Sequence, residues 1–137
     1  MEVVSVFVDT SALLALLDAD EARHEEARAI WQRLLGADVP IATTSYVLVE
    51  TYALAQRRLG NSAVRVLADD LLAVVDIEWI GRDVHERAAS AVIAANRRDL
   101  SLVDAVSFEV MRQRSLNEAF AFDRHFAEAG FSLVAAD

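Results

Sequence analysis

The chain has 137 residues, 55% of them hydrophobic and 26% charged, with one proline and four glycines, which points to a single globular domain over 1–137 and excludes a disordered or linker-rich protein. It contains no cysteine, which excludes disulfides, thiol chemistry and cysteine-bearing metal sites and makes a cytoplasmic location the expectation. Its formal net charge is −9 and all 13 basic residues are arginine, so affinity for nucleic acid cannot come from the overall field and must come from local arginines and bound cations.

Val3 to Val8 (VVSVFV) is β-branched and nearly devoid of polar residues, the pattern of a buried strand. The apolar opening is not a signal peptide, since it lacks a basic start and is interrupted by Glu2, Asp9 and Asp18. No apolar run reaches the roughly 18–20 residues of a membrane span. Asp-Thr-Ser then leads through a short turn into the helix SALLALL. Glu21 to Leu35 reads as an amphipathic helix with Gly36 near its end. Pro40 to Thr44 is a short strand, and Ser45 is placed to cap a helix over Tyr46 to Leu59 that stops at Gly60.

Asn61 is placed to cap a further helix to about Ala73. Val74 to Ile80 reads as a strand, Asp83 to Arg98 and Ser101 to about Arg114 as helices, Glu118 to Phe122 as a strand, DRHFAEAG as a helical turn and Phe131 to Val134 as a last strand. Short apolar strands alternating with helices predict an α/β fold, a central parallel sheet flanked by helices on both faces in a three-layer sandwich. Such sheets bind ligands beyond the carboxyl ends of their strands, near the point where strand order reverses. Acidic residues at strand ends are therefore the informative ones.

Four acidic residues occupy such places. Asp9 ends the first strand and is also a good helix cap. Glu50 has Tyr46, Val47, Ala53 and Leu54 as helical neighbours, an apolar face on which a carboxylate costs several kcal/mol unless a cation or donors compensate. Asp104 stands three residues after Ser101, matching a capping box. Asp123 follows the strand EAFAF as Asp9 follows VVSVFV. Each has a capping or surface alternative when taken singly. Together they would repel one another, and a hard divalent cation such as Mg²⁺ or Mn²⁺ relieves that repulsion. Such an ion activates water and neutralises charge developing on a phosphate, which is the chemistry of phosphodiester hydrolysis.

The segments VFVDTSALLALLD, TTSYVLVETYAL, DLSLVDAVSFEVMR and FAFDRHFAEAGF resemble, in order and across nearly the whole chain, those of a PIN domain. The length is similar to that of the stand-alone PIN toxins of VapBC toxin–antitoxin pairs. The resemblance implies an endoribonuclease that needs Mg²⁺ or Mn²⁺, with Asp9, Glu50, Asp104 and Asp123 as its acidic cluster. It also implies that Ser11 supports the first Asp and the scissile phosphate. Further implications are a structured RNA substrate such as tRNA or rRNA, a cognate antitoxin and a homodimer. One departure stands out: many relatives have Thr two residues before the last Asp, where this chain has Ala121.

Other readings fit less well. A haloacid-dehalogenase-like phosphatase has a second Asp where this chain has Ser11, and it uses a lysine, as does a phospho-receiver domain; this chain has none. A housekeeping RNA-processing nuclease and a silent PIN-like binding module remain as alternatives to the toxin. His24, His85 and His125 form no spaced metal pair, and a solvent-facing or capping role is assigned to His125 ahead of a catalytic one. Arg57-Arg58, Arg97-Arg98 and Arg112/Arg114 are positioned either to contact phosphates or to end helices in solvent. Trp31 and Trp79 are read as packing residues.

Overall fold

In the opening apolar run, Val6, Phe7 and Val8 are all buried, which requires layers on both faces of the strand they form. The computed structural model describes residues 4–136; Val3, the expected first residue of this strand, lies outside them. Strand β1 (Val6–Val8) runs into helix α1 (Thr10–Leu17), followed by α2 (His24–Gly36), β2 (Ile41–Thr44) and α3 (Ser45–Leu59). The chain continues through α4 (Asn61–Val66), β3 (Val75–Glu78), α5 (Arg82–Ala95), α6 (Leu102–Gln113), β4 (Glu118–Phe120), α7 (His125–Glu128) and β5 (Ser132–Leu133).

The five strands form one sheet in the order β3-β2-β1-β4-β5. Every pairing is parallel, with Val6 opposite both Ile41 and Glu118, and Val8 opposite Phe120. The chain winds outward from β1 through β2 to β3, then crosses to the other side of β1 for β4 and β5. The order therefore reverses beside β1, and the carboxyl ends of β1 and β4 flank that point.

Several boundaries differ from the sequence expectation for local reasons. Thr44, not Ser45, caps α3: it keeps the extended backbone of the strand, and its hydroxyl accepts the Val47 amide at 3.2 Å. The Ser45 hydroxyl instead accepts the Ile80 amide, tying α3 to the segment after β3. Gly60, at φ 91°, joins α3 to α4, so Asn61 is already helical rather than a cap. The helix expected to continue to Ala73 passes through a π turn at Leu67–Leu71 and a 3₁₀ turn at Leu72–Val74. Helix α5 ends at Ala95 because Asn96 turns left-handed at φ 51°. Ser101 caps α6 as expected, its hydroxyl accepting the Asp104 amide at 3.0 Å.

The core is aromatic where α6 and α7 meet the sheet. Phe126 lies against Phe7 at 6.1 Å and edge-on to Phe108 at 5.0 Å between ring centroids. Trp31 is buried against Phe120, whereas Trp79 is 71% exposed and is not part of the core. Among the described residues no helix is long and apolar enough to cross a membrane.

Phe7→Ala should cost about 3–5 kcal/mol, since the removed ring leaves a cavity that close-packed neighbours cannot fill. Ile93→Ala, at a position 79% exposed, should stay within about 0.5 kcal/mol of the parent. Urea unfolding followed by circular dichroism measures both.

Candidate active site

The pairing of β1 with β4 decides which side chains meet. The Asp9 amide donates to the Phe120 carbonyl at 3.1 Å, so the residue just after β1 is bonded to the last residue of β4. Asp9 follows β1 directly, and Asp123 follows β4 by three residues. Glu50 comes from α3, the helix after β2 on the other side of β1. Asp104 comes from the first turn of α6, which packs on α3 and β2.

The turn Asp9-Thr10-Ser11 holds this corner together. An Asp9 carboxylate oxygen accepts both the Ser11 amide, at 3.2 Å, and the Ser11 hydroxyl, at 2.8 Å. The same hydroxyl accepts the Phe122 amide at 2.9 Å, fixing the backbone just before Asp123. The Thr10 hydroxyl accepts from Thr51, whose neighbour in α3 is Glu50. A single short turn thus orients Asp9 and grips the segments that carry two other acidic residues. Ala121 brings no hydroxyl to this region, and it is the Ser11 hydroxyl that holds the backbone there.

Asp104 and Asp123 converge with His125. One donor atom from each of the three lies within 4.8 Å of the others. His125 Nδ1 is 2.8 Å from an Asp123 oxygen and 3.5 Å from an Asp104 oxygen. Asp123 also accepts the His125 amide at 2.9 Å, tying it to the first residue of α7. Asp9 and Glu50 lie outside that tight group but act on it through their charge, since both raise the pKa of Asp104.

The structure corrects the expected setting of Glu50. The buried face of α3 runs through Val47, Leu48, Thr51 and Ala55, while Ala53 is exposed. Glu50 is partly buried at the edge of that face, not in its middle, so it combines solvent contact with access to the site. His125 is the residue that sequence reasoning left aside. Its only local signal was its place two residues after Asp123, in a helical turn too short to show a face.

Burial dominates the electrostatics. Asp9, 4% exposed, has its pKa pushed up to about 6 by desolvation and further by Asp123, against hydrogen bonds from Ser11 and the Thr10 backbone that pull it down. Asp104 rises to about 7, first through burial and then through the charges of Asp9 and Asp123, with His125 opposing. For His125 desolvation acts downward, but Asp123, Asp99 and Asp104 together outweigh it and leave its pKa raised. The positive charge of His125 compensates these carboxylates only in part. Their oxygens are hard donors, and a divalent cation coordinated by oxygen fits them.

Of the arginines marked in the sequence, Arg97 is paired with Asp99, Arg114 with Asp76 and Glu78, and Arg112 lies over the rings of Phe108 and Phe131. Arg57, Arg58 and Arg98 are exposed.

Comparison with known proteins gives the family and the fold. Residues 6–132 match the PIN domain family. The chain is 41% identical over 128 residues to the Mycobacterium tuberculosis protein named 23S rRNA-specific endonuclease VapC20, covering 92% of this chain and 95% of that one. The crystal structure of M. tuberculosis VapC20, described as a sarcin–ricin loop cleaving toxin, superposes with a TM-score of 0.83 at 39% identity, over 96% of this chain and 99% of the other. VapBC2 from Rickettsia felis, solved with a DNA fragment from its promoter, shares the fold at a TM-score of 0.69 and 10% identity, over 94% and 96% of the two chains. The chain belongs to the PIN-domain family, and its sequence and fold are those of a VapC-type endonuclease.

The raised pKa values set the pH response of the metal-free protein. Asp9 and Asp104 keep protons in the fold at pH values where the unfolded chain, with carboxyl pKa 3.8, has already released them. Stability therefore falls as pH rises from about 4 through 7. The raised His125 acts in the same direction, because its stabilising charge is present at low pH and lost as pH increases. Thermal unfolding in chelator should give a higher midpoint at pH 5 than at pH 8, and Asp104→Asn should remove a large part of the difference. A midpoint equal or higher at pH 8 would contradict the assignment.

Proposed function

We propose that this protein is a metal-dependent endoribonuclease that cuts a structured ribosomal RNA and serves as the toxin of a type II toxin–antitoxin pair. The observation that carries the catalytic part is the gathering of Asp9, Asp104, Asp123 and Glu50 at the point where strand order reverses, two of them with pKa values pushed far above the usual carboxylate range. Mg²⁺ or Mn²⁺ bound by Asp9, Asp104 and Asp123, with Glu50 at the rim, would supply a polarised water and positive charge against the phosphate. Glu50 keeps solvent contact and is placed to handle the proton of an incoming water. Ser11 is a positioning residue: its one hydroxyl proton goes to Asp9, so its function is to hold that carboxylate and the Phe122 backbone in place.

The choice of ribosomal RNA rests on the named activity of the relative at 41% identity. Charge supports a narrow target, because a chain at −9 gains no general attraction for RNA and must recognise the shape of an unpaired loop locally. The same acidity suits an antitoxin that places an arginine-bearing segment in the acidic groove. A cytoplasmic location and a homodimer follow from the toxin reading.

Purified, partner-free protein should cleave one band from total cellular RNA with Mg²⁺ or Mn²⁺ and none with chelator. Asp9→Asn and Asp104→Asn should lower cleavage by more than the roughly 10–100-fold that loss of an outer-shell partner causes. Cleavage that persists in chelator or in both folded variants would overturn the catalytic reading. Expression from the native operon should co-purify a small DNA-binding protein; recovery of the chain alone would count against the toxin.

A further inference from the structure

His125 has two ring nitrogens in different situations. Nε2 donates a hydrogen bond to Asp99 at 3.3 Å. Asp99 is itself held by Arg97, whose Nε and a terminal nitrogen reach its two oxygens at 3.1 and 2.8 Å. Nδ1 is fully buried and has no hydrogen-bond partner. It lies 2.8 Å from Asp123 and 3.5 Å from Asp104, but off the line a hydrogen bond needs. With its proton on Nε2, the ring presents the Nδ1 lone pair to two carboxylate oxygens. In the metal-free protein a second proton on the ring answers that repulsion, and against the desolvation that lowers it, Asp123 and Asp104 accordingly raise the His125 pKa.

A cation set off the Nδ1–oxygen line would relieve the same repulsion. Adjacent ligands of an octahedral ion, bound at about 2.1 Å, stand about 3 Å apart, and the separations of 2.8 and 3.5 Å bracket that value. The outer side of the ring matches what metal-bound histidines require. A ligating imidazole donates its other N–H to a carboxylate, which fixes the tautomer and the ring orientation.

We propose that His125 is a nitrogen ligand of the metal centre through Nδ1, held in that role by Asp99, and that it makes the centre prefer Mn²⁺ to Mg²⁺. The inference rests on the metal-dependent reading above and adds a donor to the acidic cluster. Mg²⁺ favours oxygen and keeps its waters, so an imidazole contributes little to its binding. A first-row transition ion gains from the nitrogen. Asp99 and Arg97 are then positioning residues, acting only through the ring.

The test uses untagged protein loaded with Mn²⁺ and examined by pulsed electron paramagnetic resonance. A histidine ¹⁴N coupling is expected in the parent, converted to ¹⁵N by selective histidine labelling and lost in His125→Ala. Calorimetric titration should show His125→Ala binding Mn²⁺ about 10–100-fold more weakly, with Mg²⁺ affinity changed less than about threefold. Asp99→Asn should weaken Mn²⁺ in the same sense by about 10-fold. The measurement on the parent protein stands whether or not the variants fold. Mn²⁺ bound without histidine coupling, yet lost in Asp104→Asn, would overturn the ligand assignment and leave the nuclease reading intact. No Mn²⁺ binding by the parent would overturn both.

Discussion

The hydrogen bond from the Asp9 amide to the Phe120 carbonyl marks the contact on which the rest depends, the side-by-side ending of β1 and β4. It brings Asp123 to Asp9, and through the Ser11 hydroxyl it locks the loop before Asp123 to the first turn of α1. Thr10 and Thr51 extend the same joint to α3, and the Thr43 hydroxyl, bonded to the Val8 carbonyl at 2.7 Å, closes it toward β2. The Thr43 and Thr51 bonds are buried and the Phe122–Ser11 bond partly so; a buried group left without its partner costs about 1–3 kcal/mol. The corner is therefore held in one arrangement, and the carboxylates inherit its rigidity.

Structural and catalytic duties coincide at these positions. Asp9 caps α1, Asp123 accepts the amide of the first residue of α7, and Ser101 caps the turn that carries Asp104. These local hydrogen bonds fix the rotamers of Asp9 and Asp123, and the Asp123 oxygen that accepts the His125 amide is also the one beside Nδ1. Helix starts also bring positive dipole ends toward the cluster, which softens the repulsion between carboxylates. These roles explain how so many acidic groups can be buried together, but two pKa values remain high, so the compensation within the chain is incomplete. The aromatic core under α6 and α7 offsets that cost, a common division between a stable scaffold and a strained site.

Acidity and RNA chemistry are compatible here because the functional charge is local. The protein repels a polyanion over most of its surface, and the cluster attracts cations for the same reason. Arg97 and Arg114, which the sequence offered as phosphate contacts, are spent on internal ion pairs. Arg97 has the more specific use, since it steadies the carboxylate that orients His125.

Local pattern was enough for the alternation of buried strands and helices, for the positions of Asp9, Asp104 and Asp123 at element ends, and for the Ser101 cap. Those features depend on neighbours within a few residues, where the periodicity of apolar side chains and the chemistry of caps act directly. Tertiary structure alone decided that β4 lies beside β1 rather than beyond β3. Pairing between strands more than a hundred residues apart leaves no mark on either segment. It also moved Glu50 to the edge of its helix face, because the burial of a helix is set by what packs on it and its apolar stripe only approximates that direction. His125 is the clearest case: its neighbours in sequence suggest a cap, and only the approach of Asp99 from the loop after α5 and Asp104 from α6 sets its two nitrogens in different surroundings. A short turn has no periodic face to read, so the direction of that ring was settled entirely by the packing around it.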